Sequence, residues 1–209
     1  MLTLPWDTPV LPGFYVFEGI DGAGTTTQAQ RLASYFSQRG PASFTFEPTD
    51  GPIGRVIREY LTGDEGAQPR TLSLLFAADR HEHLEHPDRG IRVRIARGER
   101  VVCDRYLFSS LVYQGSADDF AFVEMINGTF PLPEHLFFID TAVEEADRRL
   151  ATRASRDRLE TRPMQERVHG AYRRIITEFD KTAVAVHRID GNLDPETIFN
   201  EIRSVFDER

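Results

Sequence analysis

The chain has 209 residues, 40% hydrophobic and 28% charged, which suits one globular α/β domain. Its formal net charge of -8 disfavours non-specific binding to nucleic acid, whose phosphates would be repelled. One cysteine, Cys103, excludes a framework of internal disulfides and fits a reducing compartment. No apolar run approaches the roughly 18 residues that span a bilayer, and the N-terminus lacks the basic region of a signal peptide. We expect a cytoplasmic protein without membrane or nucleic-acid partners.

Apolar runs that predict buried strands alternate with segments of helical period. The strands are predicted at residues 14–18, 42–46, 101–104, 135–140 and 184–190. The first helix is predicted at residues 27–39, before Gly40. Residues 1–13, with three prolines, are interpreted as a loosely attached tail, and residues 14–209 as one domain. The alternation predicts a parallel sheet that binds ligands at the carboxyl ends of its strands, where Glu18, Glu47 and Asp104 lie.

The stretch GIDGAGTTTQ predicts a phosphate-binding loop, because it follows the first strand and precedes a helix as in G-x-x-x-x-G-K-[ST]. Glycines let backbone N–H groups encircle phosphate oxygens, and the helix N-terminus adds partial positive charge. Thr26 holds the position whose hydroxyl binds Mg²⁺. The alternative is a tight turn without a ligand. The residues expected to bind ATP are Gly19, Ile20, Asp21, Gly22, Ala23, Gly24, Thr25, Thr26 and Thr27.

Thr25 occupies the lysine position of that pattern. A unit charge 4 Å from a phosphate oxygen contributes about 4 kcal/mol at an effective dielectric near 20. Its loss corresponds to about a thousandfold in rate. We therefore expect phosphate binding to persist, while the transition state needs another cation.

Further motifs lie along the chain, namely FEGIDGAGTTTQ at 17–28, EP at 47–48, PIGRVIR at 52–58, LLFAADR at 74–80, DRYLFSSLVYQG at 104–115 and DRLE at 157–160. In their order and spacing they closely resemble the motifs of thymidylate kinases. The resemblance runs from about Tyr15 to the C-terminus. It implies a P-loop nucleoside-monophosphate-kinase fold, with a five-stranded parallel sheet flanked by helices, an arginine-rich lid at about 149–162, and a homodimer. It also implies Mg²⁺-dependent phosphorylation of dTMP to dTDP by ATP, for dTTP synthesis.

The resemblance also implies the residues that bind dTMP. Asp21 matches the carboxylate on the sugar 3′-hydroxyl, Phe76 the ring stacked on thymine, and Arg80 an arginine that contacts the nucleotide. Tyr106 matches the tyrosine beside the sugar that disfavours a 2′-hydroxyl. The remaining expected substrate residues are Glu47, Arg105, Ser110, Tyr113 and Gln114. Without the resemblance, Phe76 would be assigned to the core and the serine and glutamine to a solvated helix face.

Four residues are implied as catalytic. Arg105 would hold the acceptor phosphate bidentately, which suits a guanidinium. Asp104 would position Mg²⁺ through water or orient the acceptor. One subclass of the family has no basic residue at the position of Ala23 and supplies a lid arginine, here Arg153 or Arg156. An arginine finger contributes about 10³–10⁵-fold, enough to offset the loss at Thr25.

A second departure is Phe46, where many family members carry an arginine that touches the acceptor phosphate. Together, Thr25 and Phe46 remove two expected positive charges from one site. Two alternatives therefore remain open. The chain could be a catalytically impaired nucleotide-binding homologue, or a kinase for another pyrimidine nucleotide or a deoxynucleoside.

Overall fold

The computed structural model describes Trp6 and residues 8–63, 66–115, 119–151 and 162–207. In this part of the chain, five parallel strands form one sheet in the order β2-β3-β1-β4-β5. The strands are β1 Val10–Glu18, β2 Ala42–Phe46, β3 Arg100–Asp104, β4 Leu132–Asp140 and β5 Ala185–Asp190. The expected α/β fold, a parallel sheet flanked by helices, is confirmed.

The helices lie between successive strands, and the last of them follows β5. They are α1 Thr25–Ser37, α2 Pro52–Thr62, α3 Pro69–Glu85, α4 Ile91–Ala96, α5 Leu107–Tyr113, α6 Phe120–Asn127, α7 Val143–Leu150, α8 Arg162–Phe179 and α9 Pro195–Asp207. α1 buries Ala29, Leu32, Ala33 and Phe36, the face predicted from the sequence. Proline opens α2, α3 and α9, where its missing N–H has no intrahelical partner to lose. None of the helices described is long and apolar enough to cross a membrane.

The core is built around β1, which pairs with β3 on one side and β4 on the other. Phe14, Val16 and Phe17 of this strand are completely buried. Phe17 stacks on Phe137 of β4 with ring centroids 4.9 Å apart. Burial on both faces explains why the central strands β1, β3 and β4 appear in the sequence as apolar runs.

The first strand begins at Val10, inside the segment predicted as a loosely attached tail. The register with β4 shifts between Leu11 and Tyr15, an irregularity that accommodates Pro12 and Gly13, whose φ is 83°. Upstream, Trp6 is buried, with its ring 5.1 Å from that of Phe179. The strand therefore starts at Val10 rather than at residue 14, because the irregular pairing keeps Pro12 and Gly13 within the sheet.

Candidate active site

The phosphate-binding loop connects β1 to α1. Gly22 and Gly24 have φ of 84° and 95°, a left-handed conformation that favours glycine. A Cβ at Gly22 would also lie 2.6 Å from the carbonyl oxygen of Ala146. α1 then begins at Thr25 without a side-chain cap. The N–H groups of its first turn are thus available to an anionic ligand.

Thr26 joins this loop to the end of β3, because its Oγ1 donates a hydrogen bond to Oδ2 of Asp104. The other carboxylate oxygen of Asp104, Oδ1, is buried and has no hydrogen-bond partner among the described residues. A buried, unpaired carboxylate oxygen beside a hydroxyl is chemically suited to a hard cation such as Mg²⁺. Within the described residues, no group of three or more His, Cys, Asp or Glu side chains could hold a metal ion. The protein oxygens present therefore fit a Mg²⁺ that keeps water and phosphate ligands.

A cavity of about 360 Å³ lies at the carboxyl ends of the central strands. It brings together every residue expected on the acceptor side, namely Asp21, Glu47, Phe76, Arg80, Arg105, Tyr106, Ser110, Tyr113 and Gln114. Thr26 and Asp104 line the same cavity. The candidate donor and acceptor residues therefore meet in one space.

Arg105 is held from both sides of this cavity. Its backbone has a φ of 70°, uncommon for a residue with a Cβ, and its N–H donates to Phe17 O over 2.9 Å. Its Nη2 donates to Oδ1 of Asp21 over 2.6 Å. Its Nη1 lies 3.2 Å from both Ser109 Oγ and Tyr172 OH. Among the described residues Nε makes no hydrogen bond, so that edge of the guanidinium is open to a phosphate.

Arg80 has a more enclosed position than the sequence suggested, with 1% of its surface exposed. Its Nε donates to Oε2 of Glu47 over 2.9 Å, and Nη2 donates to Ser110 Oγ over 3.2 Å. Nη1 donates to Oδ1 of Asn127. Arg80 thus lines the cavity, but most of its N–H groups already have protein acceptors, which orient Glu47 and Ser110.

Glu18 is a completely buried carboxylate behind Arg105. It accepts hydrogen bonds from the backbone N–H groups of Tyr106 (2.8 Å) and Ser109 (3.2 Å). It also accepts from Ser109 Oγ (2.7 Å) and Tyr172 OH (2.8 Å). Burial raises the pKa of Glu18 to about 7, although the Arg105 charge and these hydrogen bonds oppose the shift.

Several residues of the site were not predicted. Ser109, Gln30, Phe44 and Leu61 line the cavity, and Tyr172 contacts Arg105 from α8. Ser109 stands beside Ser110 in the motif at 104–115, so the motif could have identified it. Nothing local singles out Tyr172, because it lies 67 residues from Arg105.

The first residues of the predicted lid pack against the phosphate-binding loop. Nη1 of Arg149 donates to the carbonyl of Ala23 over 3.2 Å, and Nη2 donates to that of Gly191 over 2.9 Å. Arg153 and Arg156, the expected catalytic arginines, lie outside the described residues.

Comparison with known proteins agrees with this arrangement. The family model described as Thymidylate kinase matches residues 17–202. A protein of Treponema pallidum (strain Nichols), provisionally named a thymidylate kinase, is 42% identical over 92% of this chain and 94% of its own. A similarly named protein of Methanococcus aeolicus is 39% identical over 79% of this chain and 80% of its own. A protein with the same kind of name from Methanococcus maripaludis (strain C6) is 37% identical over 93% of this chain and 92% of its own. The chain belongs to the thymidylate kinase family of enzymes.

Proposed function

We propose that this enzyme transfers the γ-phosphoryl group of ATP to dTMP, giving dTDP for dTTP synthesis, with Mg²⁺. The observation that carries the proposal is the shared cavity, in which the end of the phosphate-binding loop meets the candidate acceptor residues at Asp104. Phosphoryl transfer depends mainly on positioning and charge stabilisation, and this arrangement supports both.

On the donor side, the backbone of residues 19–27 binds the phosphates of ATP. Thr26 and Asp104 hold the metal, supported by the unpaired Asp104 Oδ1. When bound, Mg²⁺ neutralises phosphate charge and orients the oxygens. Asp104 itself accepts the Thr26 hydroxyl and so keeps the loop aligned with the acceptor cavity.

On the acceptor side, Asp21 binds the sugar 3′-hydroxyl and Arg105 the phosphate. Asp21 Oδ2 already accepts a hydrogen bond from the Tyr113 hydroxyl over 3.0 Å, which orients it. Tyr106 is fully buried, and its hydroxyl donates to Pro131 O over 3.1 Å. A ring fixed in this way leaves little room for a 2′-hydroxyl, which favours a deoxynucleotide.

Recognition of the base rests on Phe76 and Gln114. Oε1 of Gln114 is buried and unpaired among the described residues, so it is available to a donor on a pyrimidine. Phe76 lines the same cavity and offers a face for stacking. Both features support a pyrimidine as the base.

The charge that Thr25 does not supply comes from the lid, through Arg153 or Arg156. Arg149, which precedes them, contacts the carbonyl of Ala23. The segment that leads to Arg153 and Arg156 therefore starts beside the phosphate-binding loop. This proximity supports a guanidinium in the role of the missing ammonium.

The functional unit is proposed to be a homodimer. α3 packs against both α2 and α6. These helices expose Val56, Tyr60, Leu74 and Met125, with Leu74 52% and Met125 57% exposed. Large apolar side chains on adjoining helices favour burial against a second copy.

A coupled steady-state assay with ATP, Mg²⁺ and, in turn, dTMP, dUMP, dCMP and UMP tests the proposed activity. We expect the highest kcat/KM with dTMP. A higher kcat/KM with another acceptor would assign the enzyme to that nucleotide. Calorimetric binding of ATP and dTMP without product would identify a nucleotide-binding homologue that has lost catalysis.

A further inference from the structure

A buried hydrogen-bonded group stands behind the candidate acceptor site and has no role in the proposed reaction. It consists of Glu18, Ser109 and Tyr172, and we refer to it as the Glu18 brace. Glu18 is not expected to touch either nucleotide, because its carboxylate is completely buried. The brace connects the end of β1, the first turn of α5 and the middle of α8.

The protons of the brace can be assigned from its chemistry. The Arg105 guanidinium can only donate, so Ser109 Oγ and Tyr172 OH accept from its Nη1. Burial raises the pKa of Tyr172 well above its usual value, so its hydroxyl keeps its proton. Each hydroxyl can then donate its own proton to Oε2 of Glu18 (2.7 and 2.8 Å). The carboxylate is therefore linked to the guanidinium through two hydroxyl groups.

The same carboxylate also fixes the backbone that follows Arg105. Its Oε1 accepts the N–H groups of Tyr106 and Ser109. These bonds define the turn into α5 directly after a residue with φ of 70°. The brace thus restrains both the left-handed backbone of Arg105 and one end of its side chain.

We propose that Glu18 is a positioning residue of the acceptor site, acting through the hydroxyls of Ser109 and Tyr172 to orient the Arg105 guanidinium toward the acceptor phosphate. The inference rests on the proposed function. On the opposite side of the cavity, Asp21 accepts a hydrogen bond from Nη2 of Arg105. With Nη1 and Nη2 both held by protein acceptors, the Nε edge of the guanidinium stays open to the acceptor phosphate. Without the brace, Asp21 would hold the guanidinium as an ion pair on the sugar side.

The test compares Glu18→Gln and the double variant Ser109→Ala, Tyr172→Phe with the wild type. The Phe ring keeps the packing of Tyr172 against Phe138, whose centroid is 5.5 Å away. Hydrogen bonds that involve charged groups predict a loss of roughly tenfold or more in dTMP affinity. We expect the Kd and KM for dTMP to rise by that factor, while the KM for ATP changes by less than about twofold.

Glu124→Gln is the matched control, since Glu124 is also completely buried but accepts from Trp6 instead. We expect it to leave the KM for dTMP unchanged. Folded brace variants that bind dTMP as tightly as the wild type would overturn the proposal. If Glu18→Gln does not fold, the double variant Ser109→Ala, Tyr172→Phe alone tests the proposal, because it retains the Glu18 carboxylate.

A second measurement does not depend on the substrate. NMR relaxation of the arginine Nε–H groups, with the Arg105 signal assigned from Arg105→Lys, reports how firmly this side chain is held. We expect its order parameter to fall in the hydroxyl variant. An unchanged order parameter would overturn the proposal that the Glu18 brace positions Arg105. Failure of the wild type to bind dTMP would instead overturn the proposed function, and the NMR result would still decide the brace.

Discussion

Phe46 lies opposite Asp104 in the parallel register of β2 and β3. An aromatic ring therefore forms the wall of the cavity beside the candidate metal-binding carboxylate, immediately before Glu47. Phe44, two residues earlier, lines the same cavity, with its ring centroid 5.9 Å from that of Phe46. This wall offers no charge to an acceptor phosphate, which leaves more of the binding to Arg105.

Phe46→Arg should lower the KM for dTMP, because a cation near a phosphate oxygen at a partly exposed site adds attraction. The expected gain is roughly tenfold. Steady-state kinetics with varied dTMP at saturating ATP measure it. Phe46→Met is the control, since it replaces the same ring without adding a charge. A KM that is unchanged or raised in Phe46→Arg would show that the acceptor phosphate does not approach this wall.

Thr25→Lys should raise kcat by at least about tenfold with little change in the KM for dTMP, because the new ammonium acts on the transferred phosphoryl group. Thr25 is the first residue of α1 and is almost buried. Thr25→Met adds similar length without charge and should give no increase. Equal or lower kcat in the lysine variant would mean that the loop has adapted to threonine.

Arg153→Ala or Arg156→Ala should lower kcat by about a hundredfold or more, within the range of an arginine finger. The KM for dTMP should change little, since the lost interaction forms with the transferred group. Arg148→Ala is the control, because this side chain is 73% exposed and pairs with Glu145. The compensation hypothesis fails if no lid variant loses more than a few-fold in turnover.

Glu18 should make stability depend on pH. Burial raises its pKa from 4.5 to about 7, so between these values the folded protein binds a proton that the unfolded chain releases. The contribution of Glu18 to the free energy of unfolding is therefore greatest below pH 4.5 and falls as pH rises through 7, by about 3 kcal/mol. Urea unfolding of the wild type and Glu18→Gln measures both free energies of unfolding from pH 4.5 to 8. The difference between the two proteins should change with pH as the contribution of Glu18 falls. A constant difference would contradict it.

Leu74→Glu or Met125→Glu should dissociate the proposed homodimer, because a charge would be buried without a partner. Sedimentation velocity over a range of concentrations measures the change. Leu193→Glu serves as the control, since Leu193 is also exposed (40%) but follows β5 rather than lying on α2, α3 or α6. A wild-type chain that sediments as a monomer at all concentrations would contradict the proposal.

The centre of the sheet could be predicted from the sequence because β1, β3 and β4 are largely buried and appear as apolar runs. β2 matches its prediction, and β3 differs by one residue at its start. β1 was predicted too short, because Pro12 and Gly13 are ordinary signals for a turn. Their place in a bulged strand depends on pairing with β4, which no local pattern records.

The candidate site divides in the same way. The phosphate-binding loop and the acceptor residues could be predicted because they belong to contiguous motifs, and the acceptor residues line one cavity. The brace could not be predicted, because Tyr172 reaches Glu18 across 154 residues of chain. The sequence also did not reveal that Arg80 is enclosed, since its burial depends on Glu47 and Asn127 from other segments.

The burial of Trp6 has a practical consequence for protein production. Its indole packs on Phe179 of α8, the helix that also carries Tyr172, and its Nε1 donates to Glu124 over 3.4 Å. A shortened gene beginning at the fourteenth codon would delete this anchor together with the first strand pairings to Leu132. Purification tags are better joined ahead of these residues than substituted for them.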